Sequence, residues 1–326
     1  MTDPALLPVP TIDDVRAAAD RIRPHLARTP LFNYPALDEQ VGLELWVKHE
    51  NHQPVGAFKV RGGVNLVAQL GQDERRRGVV AASTGNHGQS IAYAARIFGV
   101  RAVICVPEGA NPVKVDSMRA LGAKIVTHGA DFDDAREHAE RLGAEQGFRY
   151  VHSGDEPHLV AGVATETLEI LEDRPDVDAV VVPLGGGSAA AGACVVAAGS
   201  SPSPRVIAVQ SEAAPAAYRS WKERRLVEDR TATYAEGLAT RTAFAYPQRI
   251  LREHLREFVL VSDDEIRRAQ VMMIERTRNL VEAAGAAPLA AVLRLGQELR
   301  GRRVALVCSG GNVSPAQLRE LLDGAV

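Results

Sequence analysis

Short, mostly apolar runs alternate along this chain with longer stretches of helical periodicity. From residue 79 onward, runs over 79–82, 101–106, 124–127 and 149–151 read as strands. The segments between them carry one helix to Phe98 closed by Gly99, one toward Leu121 and one opening after Asp131. Strands without polar alternation are covered on both faces, as in a parallel sheet with helical crossovers. A second series follows: a helix over 160–171, a strand over 178–184, a Gly-rich loop, an Ala-rich helix and a strand over 205–210. It resumes with a helix over 263–278, a strand over 303–308 and a final helix from Ser314. Ser262 with Glu265 forms a capping box, and Ser314-Pro315 is a helix start. The pattern predicts an α/β protein with two open twisted-sheet lobes, the chain crossing between them more than once. Residues 212–250 carry the weakest periodicity.

Composition narrows the function. With 326 residues, 46% of them apolar, the chain can bury a large core. A formal charge of −3 with mixed signs provides no basic stripe for nucleic acid and no polybasic membrane patch, so small solutes are the expected partners. The N-terminus has neither a basic start nor a long apolar run, and the expected location is cytoplasmic. Cys105, Cys194 and Cys308 are far apart and sit in apolar patterns, which predicts buried thiols.

Three strand-to-helix loops carry candidate chemistry. Gly185-Gly186-Gly187-Ser188 suits a phosphate, because glycines let backbone N–H groups approach an anion and the following helix start adds positive potential. Gly185, Gly187 and Ala190 also satisfy a permissive dinucleotide fingerprint with Glu212 as ribose partner, so an NAD oxidoreductase stays open here. Ser83-Thr84-Gly85-Asn86-His87-Gly88 gathers hydroxyls, an amide and helix-start N–H groups, and Ser309-Gly310-Gly311-Asn312 again follows an apolar strand. Such loops at strand C-termini are where open α/β sheets place ligands. Lys59, in Gly56-Ala57-Phe58-Lys59-Val60-Arg61-Gly62-Gly63, is either a surface lysine or a Schiff-base lysine in the first turn of a helix, whose field would lower its pKa. His49-Glu50-Asn51-His52 misses the zinc-helix spacing, since Gln53 stands where the second histidine belongs. The run 73–77 is a solvated helix end.

Together the four blocks around Lys59, Asn86, Gly186 and Ser309 resemble the threonine dehydratase and serine racemase family, in its order and spacing over nearly the whole chain. These are fold-type II, tryptophan synthase beta-like enzymes dependent on pyridoxal 5'-phosphate. The resemblance implies a large cofactor-binding domain from residues 1–70 and 153–326 with a small α/β domain at 71–152, and a homodimer. It implies that Lys59 carries the cofactor and takes the Cα proton, and that Phe58 packs on the ring. Asn86 would bond the ring hydroxyl, Gly185, Gly186, Gly187 and Ser188 would form the phosphate cup, and Glu282 would lie near the ring. Ser309 would stand beside the pyridine nitrogen, where a neutral hydroxyl makes a weaker electron sink than an acid. Ser83, Thr84, Asn86 and His87 would hold the substrate carboxylate, with Thr84 at the opposite-face position where the racemase has serine. The family's metal-binding acids fall on Gln210-Ser211-Glu212-Ala213-Ala214, so no metal is expected. The implied reaction is elimination of water from a β-hydroxy-L-amino acid, threonine or serine first, to a 2-oxo acid and ammonia. Racemisation and β-replacement are the alternatives within the fold.

Overall fold

A computed structural model describes residues 4–324. Among them the strands are β1 (Leu31–Asn33), β2 (Glu44–His49), β3 (Val79–Ala82), β4 (Ala102–Val106), β5 (Lys124–Thr127), β6 (Arg149–Tyr150), β7 (Ala179–Pro183), β8 (Arg205–Ser211), β9 (Glu257–Val261) and β10 (Arg303–Cys308). They form a six-stranded sheet in the order β1-β2-β10-β7-β8-β9 and a four-stranded sheet in the order β5-β4-β3-β6. Only the β1–β2 pair is antiparallel; the rest are parallel, as continuous apolar strands with helical crossovers demand. The α/β class with two open sheets agrees with the sequence pattern.

Because β2 and β10 pair in register from Glu44 opposite Arg303 to His49 opposite Cys308, the loops after both strands leave the sheet together. The Ala283–Leu299 helix covers one face of the large sheet, with Leu289, Val292 and Leu299 in a core shared with Val181, Ile207 and Leu306. The Ser188–Ala198 and Pro157–Asp173 helices cover the other, around Val180, Val182 and Val307.

The Lys59–Ala68 helix joins the lobes. Its Val60, Val64 and Val67 pack with Ile91, Ala95 and Ile104 in the core of the four-stranded lobe. Its other side meets the Pro157–Asp173 helix so closely that a Cβ on Gly162 would lie 2.7 Å from the Arg61 carbonyl oxygen. Capping boxes at Ser262 and Ser314 start their helices where the sequence places them. All three cysteines are free and buried. Among the described residues, no helix is long and apolar enough to cross a membrane.

Candidate active site

Three loops converge at the C-terminal ends of parallel strands: 83–85 after β3, 184–187 after β7 and 309–312 after β10. The 56–58 turn is stitched to the last of these. Phe58 N–H donates to the Ser309 carbonyl (3.0 Å), and Gly311 N–H donates to the Gly56 carbonyl (2.9 Å).

Lys59 is the first residue of its helix, as expected, and its Nζ lies 5.0 Å from the Phe58 ring centroid. It keeps part of its surface open to a small cavity lined also by His87, Ser153, Leu159, Val163 and Ser188. Its pKa is lowered to about 8, and the main cause is desolvation by the surrounding protein, where sequence reasoning had pointed to the helix terminus; Glu166 and Glu282 oppose the shift. The lysine is therefore an amine that gives up its proton more readily than an exposed one.

The glycine loop is shaped by contacts that exclude side chains. A Cβ on Gly185 would fall 2.1 Å from the Gly237 carbonyl oxygen, one on Gly186 would fall 2.3 Å from Phe244 Cε2, and Gly187 has φ +92°. Ser188, buried at the first position of the Ser188–Ala198 helix, closes the loop against the Lys59 cavity. Such a cradle of free helix-start N–H groups fits a phosphate.

Asn86 and His87 open the Asn86–Ile97 helix. Asn86 Nδ2 donates to Glu282 Oε1 (2.8 Å), while its Oδ1 accepts from Asn312 Nδ2 (2.8 Å), which also donates to the Val55 carbonyl (2.8 Å). Glu282 stands just before the Ala283–Leu299 helix with its carboxylate turned to Asn86, and burial raises its pKa to about 7 against the lowering effects of Lys114 and Asn86. Lys114 is itself ion-paired with Glu236. His87 is buried and its pKa is depressed to about 3, chiefly by burial and then by Lys59. The ring is neutral, and because a carbonyl only accepts, its Nε2 carries the hydrogen donated to Val151 (3.2 Å). Ser83 Oγ accepts from Gly85 N–H (3.1 Å), Thr84 is exposed at the loop tip, and Ser309 is buried.

The structure thus gathers Lys59, His87 and Ser188 around one cavity and links Asn86 to Glu282, with Phe58 and Ser309 joined along one edge. Sequence reasoning missed the wall supplied by the Pro157–Asp173 helix. Leu159, Val163 and Glu166 recur at helical spacing there, and that stripe was the available signal. Other motifs resolve to structural roles. Glu212 accepts from Arg294 (3.0 Å) and is not directed at a ribose. Glu50, from the rejected zinc motif, is a buried partner of Arg61 (2.7 Å).

Comparison with known proteins gives a concordant picture. The family model described as "Pyridoxal-phosphate dependent enzyme" matches residues 22–310. The L-threonine ammonia-lyase of Thermotoga maritima is 38% identical, the match covering 96% of this chain and 78% of that protein. The L-threo-3-hydroxyaspartate ammonia-lyase of Saccharomyces cerevisiae is 35% identical over 97% of both chains. Among solved structures, a threonine deaminase from T.th. superposes with a TM-score of 0.88 at 36% identity, covering 94% of this chain and 99% of the other. Maize serine racemase superposes at 0.92 with 29% identity, covering 98% of each.

Proposed function

Because the chain belongs to the pyridoxal-phosphate-dependent enzyme family, we propose that it is an ammonia-lyase that removes water from a β-hydroxy-L-amino acid, L-threonine or L-serine first. The observation that carries this reading is a lysine with pKa about 8 facing, across one cavity, the start of a helix preceded by three glycines. When bound, the cofactor supplies the electron sink that makes a substrate Cα–H acidic.

The chain's own residues do the rest. Gly185, Gly186, Gly187 and Ser188 hold the phosphate through backbone N–H groups at the start of the Ser188–Ala198 helix. Lys59 would anchor the cofactor, Phe58, whose ring centroid is 5.0 Å from the Lys59 Nζ, would supply an apolar contact for it, and the Nζ as free amine would accept the Cα proton. Asn86, steadied by Glu282 and Asn312, presents its amide to the ring hydroxyl. Ser309 offers a neutral hydroxyl to the pyridine nitrogen, which favours prompt loss of a β-substituent over a long-lived carbanion. Ser83, Thr84, Asn86 and His87 orient the substrate carboxylate at a helix N-terminus, His87 through its backbone N–H, since the one hydrogen of its neutral ring is given to the Val151 carbonyl.

The test is a screen for 2-oxo acid and ammonia release over threonine, serine, 3-hydroxyaspartate and 3-phenylserine, with chiral analysis of the recovered substrate. Oxo acid from threonine or serine, with recovered substrate still L, is the expected result. Racemised substrate with no oxo acid from any of them contradicts the lyase reading.

A further inference from the structure

Glu166 is a buried acid that the reaction scheme above does not use. It lies on the Pro157–Asp173 helix one turn beyond Val163 and two turns beyond Leu159, both of which line the Lys59 cavity. The residue is 0% exposed, and neither carboxyl oxygen has a hydrogen-bond partner.

The charged groups around it come from each side. Lys59 and Arg61 lie on the Lys59–Ala68 helix, Lys48 on β2, Glu50 in the turn that follows, and Glu169 on Glu166's own helix. On the opposite side the Ser188–Ala198 helix is built of small and apolar residues and carries no charge. Two of the three cations, Arg61 and Lys48, are already committed. Arg61 Nε and one terminal nitrogen bond both oxygens of Glu50 (2.7 and 2.8 Å), while its terminal nitrogens bond both oxygens of Glu169 (2.7 and 2.8 Å). Lys48 Nζ donates to Glu169 Oε2 (2.6 Å) and to the Thr29 carbonyl (2.8 Å). Two cations thus balance two carboxylates. A third carboxylate in the same buried space would have no hydrogen-bond donor and only the Lys59 amine, itself desolvated as a cation, for a counter-charge, so it keeps its proton.

We propose that Glu166 is a neutral carboxylic acid and a positioning residue for Lys59: protonated, it leaves the amine free to release its own proton, and ionised, it holds Lys59 as ammonium. The idea rests on Lys59 being the reactive amine of the preceding section. Burial and then the Glu50 charge push the Glu166 carboxyl well above the usual range, and among the charges that raise Lys59 it is the foremost.

The test uses cofactor-free protein. In a pH series, infrared spectra should contain the carbonyl stretch of a protonated carboxylic acid that persists above the ordinary carboxylate range and is absent from Glu166→Gln. Capture of pyridoxal phosphate by Lys59, trapped with borohydride and counted on the Lys59 peptide, should run alike in both proteins at lower pH. Above the pH at which the infrared band fades, wild type should fall behind Glu166→Gln by up to about tenfold. A wild-type spectrum without that band overturns the proposal and needs no variant that folds. Capture rates that differ by one factor at every pH, or that coincide even after the band has faded, overturn it as well. Absence of capture at Lys59 in both proteins would instead strike the reading of Lys59 itself, while the infrared result would still report on Glu166.

Discussion

Two buried polar clusters flank the first turn of the Lys59–Ala68 helix, and they are satisfied to different degrees. Lys59 and Arg61 are two residues apart, so their side chains leave the helix in nearly opposite directions. On the Arg61 side, the guanidinium is bonded by Glu50 and Glu169, and Thr165 adds a contact at 3.1 Å. On the Lys59 side, the amine faces a cavity, and Glu282 is tied by Asn86 yet retains a pKa near 7. The Arg61 ion pairs fix geometry, although Glu166 beside them is left without a donor; the open Lys59 side leaves proton-exchanging groups available for chemistry. Fixing the helix with Arg61 is what lets Lys59 be held in place without being neutralised by a partner.

The largest expected effect separates the two sides outright. Lys59→Ala should lower turnover of threonine or serine by about 10²–10⁴-fold or more while leaving the urea midpoint of the apoprotein nearly unchanged. Near-normal turnover would place the base elsewhere. Arg61→Leu should do the reverse at the level of the fold: stranding Glu50 and Glu169 costs about 3–5 kcal/mol in urea unfolding of the apoprotein. A loss below about 1 kcal/mol would mean the cluster relaxes and does not anchor the helix. Gly186→Ala presses a methyl toward Phe244, at 2.3 Å from Cε2 before any adjustment. It should cost about 1–3 kcal/mol of stability and weaken phosphate retention, read as a higher Kd for pyridoxal phosphate; unchanged affinity would remove the loop from the cofactor site.

The smallest effect is in pH dependence, and its sign differs between the clusters. Glu282 has a folded pKa raised to about 7 from an ordinary 4.5, so its contribution is complete below 4.5 and is lost as pH rises through 7. Glu50 and Glu169 are held below the ordinary value, despite burial, by Arg61 and Lys48. Their contribution is complete above the ordinary value and is lost as pH falls through the lowered ones. Unfolding of the apoprotein should therefore lose stability as pH rises between these limits, and Glu282→Gln should remove at most about 1.4 kcal/mol per pH unit of that slope, leaving the share of the also raised Glu166 and the acid limb intact. A variant that keeps the wild-type slope would reassign it.

The same contrast explains what was legible in the sequence. Loops rich in glycine and small polar residues after apolar strands stand out, so 83–88, 185–188 and 309–312 are marked as candidate ligand loops by local pattern, whereas Lys59 stays open between two readings until the family resemblance singles it out. The strands Val79–Ala82 and Ala102–Val106 are equally plain, because burial on both faces leaves them unbroken apolar runs, while Lys124–Thr127 and Arg149–Tyr150 at the sheet edges are half-buried and carry polar residues. β2 is obscured because Glu44, Lys48 and His49 interrupt it, Lys48 being there for an ion pair made 121 residues away. The Ala283–Leu299 helix is hidden by its small residues and by Pro288 inside it. Residues 212–250 hold two short helices and one turn whose partners lie in other elements. The links from Asn86 to Glu282 and from Arg61 to Glu169 span more than 100 residues each, a distance over which local periodicity carries no information.

The most direct measurement is borohydride reduction of the cofactor-loaded enzyme followed by peptide mass mapping. A single phosphopyridoxyl group on Lys59, with loss of the visible absorption band and of oxo acid formation, is the predicted result. A reduced cofactor on another lysine, or no labelled peptide at all, would contradict the assignment of Lys59 as the anchor and base of this site.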